Sequence, residues 1–386
     1  MAGLSLREDY KKYTVDLMSV EVRGIYSCVK SIPVREGEVR LTYFRNLLYD
    51  GANLTEVDKP VPQRRFGCFK DYRSFLSETV KALGANCRDD RRRNKVEGLT
   101  GISSGYDSPA CAVVAREAGF MRTATVVNST SLWRGSDSGE AIAKQLGMSC
   151  QAYYNRPRYY RNEITIFSAT GRDAGLNLTV FDYPKPLCLF FDGSYGDTVW
   201  DRLPHDLTNP AGDMDAVLGE FRLAEGFFHT VVPWWGITQA DQVNALGTAK
   251  EMEAWTLGTN YDRPVARRIV EEAGVPRKLF AVRKKNTSSN KPFRWPYSPD
   301  AHASFAEYLR KRGMRPLSAG IVRLLRVANT ADTLVHRNLL AKMGLRRRNW
   351  PWRRVHASSF VFHWANVTLA ERYRNGLTQN LSLIHI

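Results

Sequence analysis

The sequence predicts a doubly wound α/β domain: a parallel sheet with helices on both faces, a small β-rich N-terminal appendage before it and a helical C-terminal region after it. Short apolar runs, VEGLTGI at 96–102, TATVV at 123–127 and LCLFF at 187–191, suit interior strands covered on both faces. They alternate with helical patterns of ten or more residues, as crossover connections require. At the end of the first run a tight Ser/Gly turn holding an aspartate, 103–108, leads straight into a helix. Such a turn gathers backbone N–H groups and hydroxyls at the positive end of a helix dipole. That is an anion site, with phosphate as the usual guest. No Gly-Lys-Ser/Thr follows, so the turn is not a Walker loop.

Residues 1–70 read as the β-rich appendage. Tyr13–Val29 and Glu38–Tyr43 carry β-branched, alternating patterns that predict strands, and Pro60–Arg65 reads as a linker. Residues 71–298 read as the α/β domain that carries this turn. Its first-turn helix is read from Pro109 onward: Ala110, Val113, Val114 and Ala118 recur at helical spacing, and Gly119 ends it. The strand Thr123–Val127 precedes Ser136–Leu146, whose Asp137 and Glu140 suit an exposed helix N-terminus. After Leu187–Phe191 comes a second turn with Gly193, Gly196 and Asp197. An open parallel sheet delivers the C-terminal loops of its strands to one edge, where two such loops can share one ligand. Gly226–Gly236 (GFFHTVVPWWG) reads as core, with a pocket wall as the alternative and His229 its polar member. Residues 299–380 form the helical basic region. There Ser304–Arg312, Ala319–Val327 and Leu334–Met343 are amphipathic, and either pack on the α/β domain or make a partner surface. The last residues, LSLIHI at 381–386, resemble a translated sequencing-adapter tail, so the true C-terminus is expected to be missing.

Composition bounds the function. The chain has 386 residues, 43% of them hydrophobic, enough for one large core or two modest ones. No run of 18 apolar residues predicts a transmembrane helix, and the N-terminus lacks the apolar stretch of a signal peptide. The six cysteines are scattered, with no Cys-x-x-Cys pair, which argues against a zinc or iron–sulfur site and against a disulfide scaffold. A reducing, cytoplasmic location fits. The seven histidines form no close metal-ligand pair. Net charge is +17, which favours a polyanionic neighbour such as nucleic acid, an anionic lipid surface or an acidic glycan. Part of that charge lies in Arg346–Arg354, where five arginines interleave with Trp350 and Trp352. This stretch either contacts a polyanion or packs as an Arg-capped helix end.

The turn Ser103-Ser104-Gly105-Tyr106-Asp107-Ser108 resembles the pyrophosphate loop of the N-type ATP pyrophosphatases, the PP-loop superfamily, whose pattern is Ser-Gly-Gly-x-Asp-Ser. Ser104 stands where the first glycine is usual; if that position needs positive φ, serine strains it by ~1 kcal/mol or more. The second turn resembles the asparagine synthetase signature Ser-Gly-x-Gly-x-Asp-Glu. Gly193 and Asp197 match it, while Asp192, Tyr195 and Thr198 replace its serine, second glycine and glutamate. Tyr261–Lys285 resembles that family's later helix and Lys/Arg-rich loop, with Lys284 and Lys285 in the loop. The resemblance runs from about Phe75 to about Asn290.

It implies an adenine nucleotide alpha hydrolase-like sheet and an ATP-dependent ligase of asparagine synthetase type. Ser103, Ser104, Gly105, Tyr106, Asp107, Ser108, Gly193 and Asp197 would bind ATP. Asp107 and Asp197 would hold Mg²⁺ by hard oxygen ligation, and Lys284 or Lys285 would steady charge as the adenylate forms. A carboxylate or amide oxygen attacks the α-phosphate, pyrophosphate leaves, and ammonia or an amine displaces AMP. The chain begins Met1-Ala2-Gly3, without the cysteine nucleophile of the family's N-terminal glutaminase, so nitrogen is expected free or from a separate amidotransferase chain. Threonine cannot act as a base near neutral pH, so Thr198 leaves activation in place and puts amidation of aspartate in question. Two other functions compete: a tRNA-modifying PP-loop enzyme, which the basic charge suits, and a non-catalytic ATP-binding protein, which Ser104, Tyr195 and Thr198 suit.

Overall fold

The computed structural model describes residues 6–7, 9–59, 64–127, 136–173, 175–202, 218–259, 261–281, 293–335, 339–340, 343 and 356–377. At the N-terminus are two short helices, α1 (Tyr13–Leu17) and α2 (Ser19–Arg23). Two antiparallel hairpins follow, β1 (Ser31–Val34) with β2 (Gly37–Arg40) and β3 (Arg45–Tyr49) with β4 (Leu54–Asp58). The strand expected from Tyr13 onward is instead helical, because tertiary contacts override β-branched propensity. Tyr13 is buried with its hydroxyl on the Pro33 carbonyl at 2.8 Å and its ring on Phe362. Asp16, also buried, takes hydrogen bonds from the Tyr10 hydroxyl and the Arg23 guanidinium.

The α/β unit opens with α3 (Phe69–Arg88), whose buried Phe69, Tyr72, Leu76, Val80 and Cys87 recur every three to four residues or so along one stripe. Then come β5 (Val96–Gly101), α4 (Asp107–Glu117), β6 (Arg122–Val126), α5 (Glu140–Gln145), β7 (Ser149–Tyr153) and α6 (Glu163–Thr170). The chain continues through β8 (Leu187–Asp192), α7 (Gly196–Val199), α8 (Glu220–Glu225), β9 (Phe227–Val231), α9 (Ala240–Leu246) and α10 (Pro264–Glu272). Strands β5 to β9 form one all-parallel sheet in the order β7-β6-β5-β8-β9. From β5 the chain winds outward through β6 and β7, then returns to lay β8 on the other side. The order therefore reverses between β5 and β8, the place where such sheets take ligands. Register pairs Thr100 with Phe191, so the two strands reach the carboxyl edge together.

Strand alternation splits the core into two faces. Leu189 and Phe191 face α3, α4 and α10, while Cys188 and Phe190 face α6 and the C-terminal helices. Those helices are α11 (Pro299–Lys311), α12 (Ala319–Val335) and α13 (Val361–Leu377). The amphipathic stretch Ala319–Val327 continues through Val335 as one helix. Ser304–Arg312 packs on the α/β unit, with Phe305 and Leu309 buried and Trp364 of α13 fully buried against Phe167 of α6 and Phe305 of α11. By contrast, Ile321, Leu324 and Val327 of α12 are exposed, and much of Leu334–Met343 lies outside the described residues. Arg346–Arg354 and the tail 381–386 lie outside the described residues. All six cysteines are free thiols, and among the described residues no helix is long and apolar enough to cross a membrane.

Candidate functional site

β5 ends at Gly101 and α4 begins at Asp107, so the intervening residues carry the chain over the edge of the sheet at the switch point. The turn is clamped on itself. Ser103 N–H donates to Ser108 Oγ at 2.9 Å, the two hydroxyls share a 2.9 Å hydrogen bond, and Gly105 N–H donates to Ser103 Oγ at 3.3 Å. Both hydroxyls thus sit together at the N-terminus of an eleven-residue helix, where the dipole favours an anion. Pro109 in the first turn sacrifices no hydrogen bond, since the first N–H groups of a helix have no partner within it.

Ser104 is not among the described residues with positive φ, so the strain considered for it does not arise. Its hydroxyl instead donates to Asp137 Oδ1 at 2.7 Å, and its N–H donates to the Asp137 carbonyl at 3.1 Å. Ser103 pairs with Ser138 in an isolated bridge. The serine that departs from the resembled pattern therefore ties the turn to the segment before α5. Asp137 thus supports the turn, through a contact that its place in the sequence does not show. Glu140 is exposed and takes the Ser138 hydroxyl.

The second turn closes directly on the first. A Cβ at Gly193 would lie 2.7 Å from the Asp107 carbonyl carbon and 2.8 Å from Ser108 N. One at Gly196 would lie 2.7 Å from Asp107 Cβ and closer still to its carboxyl group. Only glycine lets the β8 turn and the first turn of α4 approach this far. Between them Tyr195 adopts φ +66°, the left-handed conformation that glycine takes most easily, with its ring edge-on to Trp234 at 5.0 Å. The positive-φ position lies here, at the resembled signature's second glycine. Trp234 and Trp235 are half-buried against the first core face, as the core reading of that segment holds.

A buried cation binds the two turns, and sequence reasoning did not single it out. Arg263, just before α10, donates Nη1 to Asp107 Oδ2 at 2.5 Å, and its Nη2 lies 4.0 Å from Asp197 Oδ2. Its side chain is 6% exposed and that of Asp197 is 55% exposed, so the Asp107 contact dominates. Burial lowers the affinity of Arg263 for its proton, but the Asp107 and Asp197 carboxylates outweigh that and hold it above the usual arginine range. One helical turn on, Arg267 is 1% exposed, hydrogen-bonds the Tyr106 hydroxyl and lies over the Tyr106 and Phe280 rings. Arg263 lies over the Tyr261 ring at 5.3 Å. Burial raises the Tyr106 hydroxyl above its ordinary range, so it stays neutral and can accept from Arg267.

The chain returns once more to the turn at Ala281, whose N–H donates to the Ser104 carbonyl at 2.7 Å. Lys284 and Lys285 follow in sequence and lie outside the described residues. The structure thus brings Ser103, Ser104, Gly105, Tyr106, Asp107, Ser108, Gly193 and Asp197 to one edge. Asp107 and Asp197 present hard oxygen donors of the kind Mg²⁺ takes together with substrate phosphates. Among the described residues no group of three or more His, Cys, Asp or Glu is arranged to hold a metal. No protein-family model matches the chain, and no curated protein matches it.

Proposed function

We propose that this protein is an ATP-dependent adenylating ligase, resembling the asparagine synthetase domain of the PP-loop superfamily and joining a carboxylate to ammonia or an amine. The observation that carries this reading is the direct packing of the β8 turn on the first turn of α4, Gly193 and Gly196 against Asp107, at the switch point of the sheet. A triphosphate laid over that edge would meet the Ser103 and Ser108 hydroxyls and the α4 dipole. Arg263 would keep Asp107 charged and fixed while the phosphates bind. Mg²⁺ carried in with ATP and held by Asp107 and Asp197 would supply charge neutralisation for the departing pyrophosphate. Lys284 and Lys285, a few residues beyond the Ala281 contact, are the cations proposed to steady the α-phosphate as adenylate forms. The nitrogen donor would be free ammonia, a small amine or the product of a separate amidotransferase chain.

A second reading has its own support. Arg263 already neutralises Asp107, an arrangement equally suited to a protein that binds nucleotide and does not turn it over. Pyrophosphate release from ATP–Mg²⁺ separates the two. It is measured with aspartate, glutamate, short aliphatic and aromatic carboxylic acids, ammonia and bulk tRNA, for wild type and Asp107→Asn. Release that needs one carboxylate and disappears in the variant supports the ligase. Release that needs tRNA and falls steeply with salt favours the tRNA-modifying alternative. Nucleotide binding with no release under any condition favours the non-catalytic one.

A further inference from the structure

At the carboxyl edge, one strand beyond the paired turns, lies a second polar cluster. His229 Nε2 is 2.8 Å from Asp192 Oδ2, and Ser194 donates its hydroxyl to the same oxygen at 2.6 Å and its N–H to Oδ1 at 3.3 Å. Asp192 is the last residue of β8 and directly precedes Gly193, which touches Asp107; its carbonyl also takes the Cys111 thiol of α4 at 3.3 Å. His229 lies on β9 in register with Phe190, its ring stacked against the Phe190 ring and its side chain 7% exposed.

An ionised carboxylate only accepts hydrogen bonds, so Nε2 is the donor of the shared bond, and the neutral ring then has its lone pair on Nδ1. Among the described residues Nδ1 has no hydrogen-bond partner. Asp192 is held in its charged form: burial opposes ionisation, but the hydrogen bonds it accepts from His229 and Ser194 outweigh it and lower the carboxyl below its usual range. A histidine fixed in one tautomer by a carboxylate, with its other nitrogen available, is the arrangement of a general base.

We infer that His229, oriented by Asp192, takes the proton from the nitrogen nucleophile in the second half of the reaction. This assignment rests on the adenylating-ligase reading. The nitrogen lone pair forms the C–N bond to the acyl carbon. The C–O bond to AMP breaks, and AMP leaves with that electron pair. The proton shed by nitrogen goes to His229 Nδ1 and from there to solvent. A base is required here because an amide product has one fewer proton on nitrogen than the attacking amine, and Thr198 in the adjacent turn cannot accept it.

The test separates the half-reactions in the full-length protein, using whichever carboxylate of the panel supports pyrophosphate release. Exchange of labelled pyrophosphate into ATP reports adenylation, and amide formation with ammonia reports the second half. In His229→Gln the ratio of amide formation to exchange should fall by on the order of 10²–10⁴-fold. Hydroxylamine, whose adduct is a stronger acid than that of ammonia and can shed its proton to water without a protein base, should bring turnover back to within about tenfold of wild type, an effect a merely structural residue would not give. Phe228→Ser, an exposed neighbour on the same strand, should behave as wild type. An unchanged ratio in His229→Gln overturns the assignment, as does parallel loss of both halves without rescue. So does wild type that exchanges pyrophosphate yet forms no amide. Wild type with no exchange on any carboxylate defeats the ligase reading itself, and the assignment with it.

Discussion

Tyr195 sits at φ +66° between the two glycines that close the site, so its backbone is strained where a glycine would be relaxed. Its ring against Trp234 offsets part of that strain; aromatic pairs contribute ~0.5–1.5 kcal/mol. Tyr195→Gly should therefore be close to wild type in stability, since it loses the ring contact and the strain together. Tyr195→Ala loses the contact and keeps the strain, and should be about 1 kcal/mol less stable than the glycine variant. Urea denaturation of the two checks the ordering. Asp192 yields a pH prediction. Its folded-state pKa lies below the usual carboxylate value of 3.8, so its contribution to stability is fully present above that value. The contribution is lost as pH falls through the lower folded value. Asp192→Asn should narrow the stability difference between about pH 5 and about pH 3 relative to wild type, measured as the shift in thermal midpoint. At this scale the sequence was a partial guide. The Ser/Gly turn between β5 and α4 was legible because its pattern is local. The Ser104–Asp137 bond was not, because the partner lies on the loop after the next strand.

At the scale of elements, the site depends on two turns meeting, and a single methyl group at the contact should part them. Gly196→Ala places a Cβ against the Asp107 side chain, and the turn must shift to admit it. We expect nucleotide affinity to fall at least tenfold, about 1.4 kcal/mol, with little change in the far-ultraviolet circular dichroism; isothermal titration with ATP–Mg²⁺ measures it. Arg263 gives the complementary prediction. Removing one partner of a buried pair leaves an uncompensated charge, at a cost of about 3–5 kcal/mol, so Arg263→Met should destabilise strongly. Adding Asp107→Asn should recover part of that loss, because the carboxylate facing the lost cation is gone; losses that simply add would show that the pair is not coupled. The strands at 96, 123 and 187 were legible as apolar runs, whereas β7 and β9 were not. β7 (SCQAY) is polar and half-exposed at the sheet edge, and β9 hid inside an aromatic cluster that reads as core in any conformation. Arg263 could not be paired with Asp107 from sequence, because 156 residues separate them. One clue was present: Arg263 and Arg267 are one turn apart, on the stripe that carries Ala266 and Val270. Arginines on an apolar stripe are buried for a partner.

For the whole molecule, the question is whether the C-terminal helices only decorate the α/β domain or hold it up. The sheet has an apolar face on each side, and β8 supplies both: Leu189 and Phe191 to one, Cys188 and Phe190 to the other. A sheet with one face bared to water would leave Leu99, Ala124 and Phe190 uncovered, each large apolar side chain forfeiting ~1.5–3 kcal/mol. The residues that cover this face come from α6, α11 and α13, with Trp364 at the centre and its indole N–H on Ser304 Oγ at 3.1 Å. Asn366 reaches across to the Ser168 carbonyl of α6 at 3.0 Å, so the contact is polar as well as apolar. Because the same strands carry the site turns at their carboxyl ends, loosening α13 should loosen the site. Trp364→Ala should cost about 3–5 kcal/mol by opening a cavity between α6 and α11. If the two faces form one cooperative unit, urea curves followed by circular dichroism and by loss of nucleotide binding will shift together in this variant. If α11 to α13 fold as a separate unit, the variant will unfold in two steps and keep its nucleotide site through the first. The shared strands argue for the single transition.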